Sequence, residues 1–376
     1  MPAHRSKPSA NGCWTRWQGC EQTAEACVSD IDWPEWLQAP WTRLCRGIER
    51  LPHALLVSGP PGVGKRLLAD ALAARLLCAR ARRDEPACGE CEACRLRRAG
   101  NHPDLFALEP EAAREDGAAG ERRKASTQIV IDNLRAVQAA LEVTAHQGGR
   151  RVVIVDPAEA MNPFTANALL KLLEEPPRDA HLILVSADPR RLLPTLVSRC
   201  QQLVVANPAQ AQASAWLAQQ GVADADGMLA LLAGSPLTVA SLMAQGANQA
   251  LARFVADLTS ISSDCDAIEL AGQWEAWNRS REGQALGVDM ALLADWLLRW
   301  CWDLVASKSG LSNRYFPAQA GLMAGLVAPL PLPQLLDCYN EVGQARRSAQ
   351  HPLNLRLALE DMLLSYQRAV STGKRS

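Results

Sequence analysis

Apolar residues follow two rhythms along the chain. Up to about residue 206, short unbroken apolar runs recur: Ala54-Leu55-Leu56-Val57, Val152-Val153-Ile154-Val155 and Leu182-Ile183-Leu184-Val185. Runs of this length, bounded by Gly, Pro or Asp, read as strands covered on both faces, as in a parallel sheet. Shorter strands are expected at 105–108 and 202–205. Between them, helical spacing predicts helices at 42–50, 67–78, 133–144 and 164–174, with Asp132 as an N-cap. Strands alternating with helices predict an α/β domain built on a doubly wound parallel sheet. Beyond Pro208 the strand runs cease. Helices are expected at 209–220, 226–233 and up to about 245, then through most of 248–376, with a strongly apolar stretch at 292–305 and a last helix at 353–368. Trp296 and Trp300 lie a turn apart on one helical face and, with Trp302, are expected in the core. This pattern divides the chain at 1–30, 31–206, 207–247 and 248–376.

The first apolar run leads into Ser58-Gly59-Pro60-Pro61-Gly62-Val63-Gly64-Lys65-Arg66 and then a helix. Strand, glycine-rich loop and helix in this order form a P-loop. The backbone N–H groups around Gly59, Gly62 and Gly64 converge on phosphate, and Lys65 adds a point charge. The next position should offer a Ser or Thr hydroxyl to Mg²⁺. Arg66 stands there, and a guanidinium has donors only. A second departure lies downstream. The run 151–155 ends in Asp156, where a ligand for the Mg²⁺-bound water belongs, but the following glutamate that would activate attacking water is replaced by Pro157. Glu159 is expected to point elsewhere.

Cys78, Cys88, Cys91 and Cys94 follow the P-loop helix with the spacing C-x9-C-x2-C-x2-C. Two-residue spacings of thiols, with a fourth nearby, close a tetrahedral S₄ site, which predicts a structural Zn²⁺ in a module spanning 78–94. Four protein ligands leave no open position for water. His102 is not needed by that set. Arg95, Arg97 and Arg98 form a short basic cluster, more in keeping with a solvated helix face than with a nucleic-acid footprint. The region 109–128, rich in Glu, Arg, Ala and Gly, reads as a surface insertion.

Composition changes this picture little. A chain of 376 residues accommodates about two or three domains at roughly 100–200 residues each. The 48% hydrophobic content supports a core, and the net charge of −1 argues against a generally basic nucleic-acid binder. Apolar runs stay well short of the ~20 residues that span a bilayer, so no membrane contact is expected. The first thirty residues, with scattered Cys13, Cys20 and Cys27, have no signal-peptide core and read as a disordered extension, with a natural start expected near Val28. A cytoplasmic location follows as the default. Twelve cysteines then imply metal ligands or buried thiols rather than disulfides.

The P-loop, the Cys₄ insertion after its helix, Asn167-Ala168-Leu169-Leu170-Lys171-Leu172-Leu173-Glu174-Glu175-Pro176-Pro177, and Ser198-Arg199-Cys200 together resemble the bacterial clamp-loader family of AAA+ proteins. The resemblance runs from about residue 33 to the end, with its motifs before the last helices, and His102-Pro103-Asp104 fits it too. It implies an AAA+ domain, a small helical lid at 207–247 and a helical collar at 248–376. Motor subunits of the gamma/tau type carry Ser or Thr after the P-loop lysine, Asp-Glu after the third strand and an arginine in the lid. Arg66, Pro157 and Leu237 occupy those positions here, so the chain looks like the delta-prime branch. The resemblance then implies a stator without autonomous catalysis, ATP and Mg²⁺ not being hydrolysed by this chain. Arg199 would act as an arginine finger in a neighbour's ATP site. Partners would be gamma/tau and delta subunits, with the sliding clamp and primer-template DNA met through the complex, as part of the DNA polymerase III holoenzyme. An active gamma/tau-like ATPase and a zinc-containing nucleic-acid module are the alternatives.

Overall fold

A computed structural model describes residues 34–82, 85–110, 126–142, 149–222, 225–261, 266–286, 288–348 and 354–371. The proposed extension at 1–30, with its three cysteines, and most of the expected insertion lie outside these residues. The chain divides into two compact units that meet at Pro208–Ala209.

In the first unit the strands are β1 (Ala54–Ser58), β2 (Leu105–Leu108), β3 (Arg151–Val155), β4 (Ala180–Ser186) and β5 (Gln201–Val204). All pair in parallel, in the order β2-β3-β4-β1-β5. Helices α1 (Glu35–Arg46), α2 (Lys65–Leu77), α3 (Glu92–Arg98), α4 (Ile131–Glu142), α5 (Pro163–Glu174) and the single turn α6 (Pro194–Val197) complete it. Successive strand residues point to opposite faces. Leu55, Val57, Val152, Ile154, Ile183 and Val185 pack with α1 and α2 on one side. Ala54, Leu56, Val153, Val155, Leu182 and Leu184 pack with α4 and α5 on the other. Two apolar faces explain why the strands read as continuous rather than alternating runs.

Two helix starts differ from expectation for reasons visible in the structure. The first helix starts at Glu35, not at 42, and carries Pro40 inside it. Trp36 Nε1 donates to Val63 O at 2.9 Å, so the early turns are held by tertiary contact against the glycine loop, which overrides the proline signal. Asp132 lies inside the first turn of α4 rather than capping it, and pairs with Arg135 at 3.5 Å on the surface. By contrast, Asn162 caps α5, its side chain accepting from Thr165 N at 2.8 Å.

The second unit is helical among its described residues: α7 (Gln210–Gln219), α8 (Asp226–Leu231), α9 (Pro236–Ala244), α10 (Ala247–Ile261), α11 (Ala267–Arg279), α12 (Arg281–Ala285), α13 (Met290–Lys308), α14 (Ala320–Val327), α15 (Leu332–Ser348) and α16 (Leu355–Ser371). One core cluster runs from Ala213 to Val370. Trp296 and Trp300 are buried in it, and Trp300 Nε1 donates to Tyr366 Oη at 3.1 Å. Trp302 departs from expectation. It is 45% exposed, tilted against Tyr339, because its offset from Trp300 turns it off the buried face. Asp303 is fully buried and accepts from the N–H groups of Arg314, Tyr315 and Phe316 at 2.7–2.9 Å, closing the loop after α13. Among the described residues no helix is long and apolar enough to cross a membrane.

Candidate functional site: a phosphate loop filled by its own arginine

The loop after β1 lies at the carboxyl edge of the sheet, where open α/β folds place their ligands. Gly59 N donates to Ser186 O at 3.2 Å, and a Cβ at Gly59 would lie 2.0 Å from Val205 O, so only glycine permits this close passage. Gly62 and Gly64 follow at positive φ, and Gly64 stands at the N-cap of α2. The glycine turn at the start of α2 is therefore formed. Lys65 Nζ turns back and donates to Pro60 O at 2.6 Å. Burial lowers its pKa, partly offset by the charges of Asp156 and Glu159.

Arg66 closes the site. The register pairs Leu108 with Val155, so the next residues, Glu109 and Asp156, emerge side by side at the sheet edge. Arg66 Nη1 reaches Glu109 Oε1 at 2.5 Å and Asp156 Oδ2 at 3.0 Å, while its Nε pairs with Asp70 at 3.1 Å. Asp70 is one helical turn along α2. Burial alone would lower the arginine pKa, but Asp70, Glu109 and Asp156 outweigh it and raise it. Burial holds the Asp156 and Asp70 carboxyls above their ordinary value of 3.8, against the pull of Arg66. A guanidinium thus supplies the positive charge that a divalent cation would bring to these carboxylates. It cannot coordinate phosphate oxygens and water as a metal does.

Glu109 corrects the expectation of a surface insertion from residue 109: its carboxylate belongs to the pocket. Neither Glu109 nor Asp70 is a predicted site residue. Asp70 was signalled by its four-residue offset from Arg66, Glu109 by following a strand. Glu159 is committed elsewhere, its Oε1 accepting from Ser186 Oγ and Asp188 N, both at 2.6 Å. Leu237, in α9, is buried.

Cys78, Cys88, Cys91 and Cys94 come together with all sulfurs within 4.8 Å of one another. Cys78 Sγ lies 3.5 Å from Cys88 Sγ and 3.8 Å from Cys91 Sγ. A tetrahedral ion with ligand bonds of about 2.3 Å needs sulfurs ~3.8 Å apart, so the donor set and spacing fit a zinc site. The N–H groups of Cys88 and Cys91 donate to Cys78 Sγ and Cys88 Sγ, the turn that folds such spacings into a knuckle. Burial raises the Cys94 and Cys78 thiols; at Cys91 burial acts the same way, but N–H groups of Cys94 and Ala79 prevail and lower it to about 6. His102 stands outside the cluster and accepts from Asp104 N at 3.1 Å. In the basic cluster, Arg98 is occupied structurally, donating to Gly89 O at 2.8 Å.

Arg199 sits on the turn after α6. Its Nη1 donates to Thr195 O at 3.0 Å and its Nη2 to Glu174 Oε1 at 2.7 Å. Its side chain remains 38% exposed. Ser198 Oγ donates to Thr195 O, and Cys200 is buried in the sheet core, its thiol pushed up to about 11 by burial. Both neighbours build the turn that presents the arginine.

Known proteins match this chain along most of its length. The family described as "DNA polymerase III, delta subunit" matches residues 44–209. DNA polymerase III subunit delta' of Pseudomonas aeruginosa is 42% identical over 270 residues, covering 70% of this chain and 75% of that protein. The subunit delta' of Yersinia pestis is 32% identical over 92% of this chain and 98% of that protein. DNA polymerase III subunit tau of Escherichia coli is 34% identical over 163 residues, 43% of this chain and 23% of that protein. With the two delta' relatives matching 70% and 92% of its length, the chain belongs to the DNA polymerase III delta-prime subunit family.

Proposed function

We propose that this clamp-loader subunit works as a stator, keeping the framework of an ATPase without its chemistry and lending an arginine to a motor subunit beside it. The Arg66–Asp156 ion pair carries this reading. A side chain already neutralising the carboxylate that should serve the metal leaves Mg²⁺ neither its charge balance nor its hydroxyl ligand. Lys65, bonded to the loop's own Pro60, and Pro157, in place of the expected glutamate, point the same way. Nucleotide binding is weak or absent, and the isolated chain does not hydrolyse ATP.

Arg199 supports the complementary half of the proposal. Its exposed guanidinium, on a turn held from both sides, suits insertion into the ATP site of a gamma/tau subunit. Such an arginine stabilises charge developing on the transferred phosphoryl group, an effect of about 10³–10⁵ in rate. Lysine would keep the charge but lose the planar fork. The Cys₄ module would hold Zn²⁺, which when bound cross-links the insertion after α2 and takes no part in catalysis. Gamma/tau and delta subunits are the proposed direct partners, the sliding clamp and primer-template DNA are met through the assembled loader, and the cytoplasm is the proposed location.

The test uses a loader reconstituted with motor and delta subunits. Arg199→Ala should lower clamp- and DNA-stimulated ATP hydrolysis by about 10³ at the interface it serves, with assembly intact. Unchanged hydrolysis would remove the finger, and turnover by the pure chain would remove the stator.

A further inference from the structure

Arg199 is not left free on the surface. Its two contacts come from different elements: Thr195 O lies in α6, and Glu174 is the last residue of α5. The carboxylate is 51% exposed, so the pair contributes little to folding. Glu174 is also misplaced for the helix that carries it. The carboxyl end of a helix is negative and favours cations, as Lys171 in the same last turn illustrates. An acid there adds nothing to α5, and the group it holds is Arg199.

We infer that Glu174 is a positioning residue for Arg199, fixing the guanidinium in one orientation before a phosphoryl group arrives. This rests on the finger reading above. An unrestrained arginine samples many rotamers, and each must be given up when it engages phosphate. Here one hydrogen bond from each terminal nitrogen is spent on the tether. The guanidinium's five N–H donors leave Nε and one hydrogen on each terminal nitrogen for an incoming oxygen. The finger is thus oriented without its donor capacity being used up. Because both tether groups are exposed, the Glu174 contact can also lengthen or exchange as the phosphate takes its share.

A group that pre-orients a transition-state contact should act on kcat and leave KM for ATP unchanged. In the reconstituted loader, Glu174→Ala should lower kcat for stimulated hydrolysis at the interface Arg199 serves about tenfold, well short of the loss from Arg199→Ala there, with KM for ATP unchanged. Glu174→Gln keeps an acceptor at the same place and should recover most of the rate. The double variant should be no slower than Arg199→Ala alone, because the tether has nothing left to hold. Thermal midpoints and assembly of the Gln variant, read beside the rates, separate folding from positioning. If Arg199→Ala is inert, the finger itself fails. If Arg199→Ala is slow while Glu174→Ala and Glu174→Gln turn over as wild type, or faster, the finger stands and the positioning role falls. A double variant slower than Arg199→Ala would likewise assign Glu174 a separate job and overturn the inference.

Discussion

Arg66 changes what its pocket is for. One guanidinium faces Asp70, Glu109 and Asp156, each side chain only about a fifth to a quarter exposed. Arg66→Met keeps the apolar stem and deletes the charge, leaving three carboxylates without this partner. Breaking a buried pair from one side costs about 3–5 kcal/mol, and residual exposure favours the lower end, about 3 kcal/mol at neutral pH. The pH dependence has a definite sign. Asp70 and Asp156 already titrate above 3.8 in the folded chain, and losing Arg66 raises them further. A carboxyl whose folded pKa exceeds its unfolded value binds its proton more tightly when folded, so stability grows as pH falls through the folded value toward 3.8. The deficit of Arg66→Met against wild type should therefore be largest at pH 7.5 and shrink by pH 5. Urea midpoints of both proteins at the two pH values measure this, and a pH-independent deficit would assign the loss to packing instead. The sequence makes half of this pocket legible. Arg66 announces the missing hydroxyl and Asp156 the end of a strand, because both follow local grammar. Glu109 is hidden, because its place beside Asp156 depends on the pairing of β2 with β3, which joins residues 47 positions apart.

Among elements, the Cys₄ module is the clearest case of local spacing determining structure. Among the described residues its own buried cluster is Ala74, Ala87, Cys91, Ala93 and Cys94, with Cys78 and Cys88 packed against it. Five small side chains cannot offset the entropy of ordering a loop and a seven-residue helix, so a metal ion bound by the four thiols would supply the cross-link. The purified chain should carry one zinc, and Cys91→Ser or a strong chelator should remove it. Hydrogen exchange should then quicken through residues 78–98 while the sheet strands stay protected. Because thiolates are the ligands, zinc should also leave in acid. Full protection in metal-free protein would show that the module folds without an ion. The two-residue spacings carry this element in plain view. The start of α1 is concealed, since Pro40 reads as a breaker and the Trp36–Val63 contact that overrides it is tertiary. Trp302 shows the same limit: a helix can be read from its apolar density, but which side of it faces solvent depends on what packs against it.

At the scale of the molecule, the two units own separate hydrophobic cores. Among the described residues, the sheet is filled by residues from Leu37 to Val205 and the helical unit by residues from Ala213 to Val370. A core of its own is the physical requirement for folding alone. The helical unit is also unusually rich in large anchors: Phe254 stacks on Trp274 at 5.5 Å, meets Trp296 edge-on at 5.4 Å and lies 6.3 Å from Phe316. Such rings bury much area and fix one packing. Residues 209–376, expressed alone, should therefore keep helical far-ultraviolet dichroism and a fixed near-ultraviolet tryptophan spectrum, and should unfold cooperatively. The described residues offer an internal control, because among them Trp36 and Trp41 lie in the sheet unit while Trp216, Trp274, Trp277, Trp296, Trp300 and Trp302 lie in the helical one. Tryptophan fluorescence should thus follow the helical unit, whereas hydrogen exchange of β1, β3 and β4 follows the sheet. Arg66→Met should move the second signal and leave the first in place. Coincident shifts in both, or a helical fragment that retains far-ultraviolet helix but loses its near-ultraviolet spectrum, would mean that each core needs the other to reach a single packing.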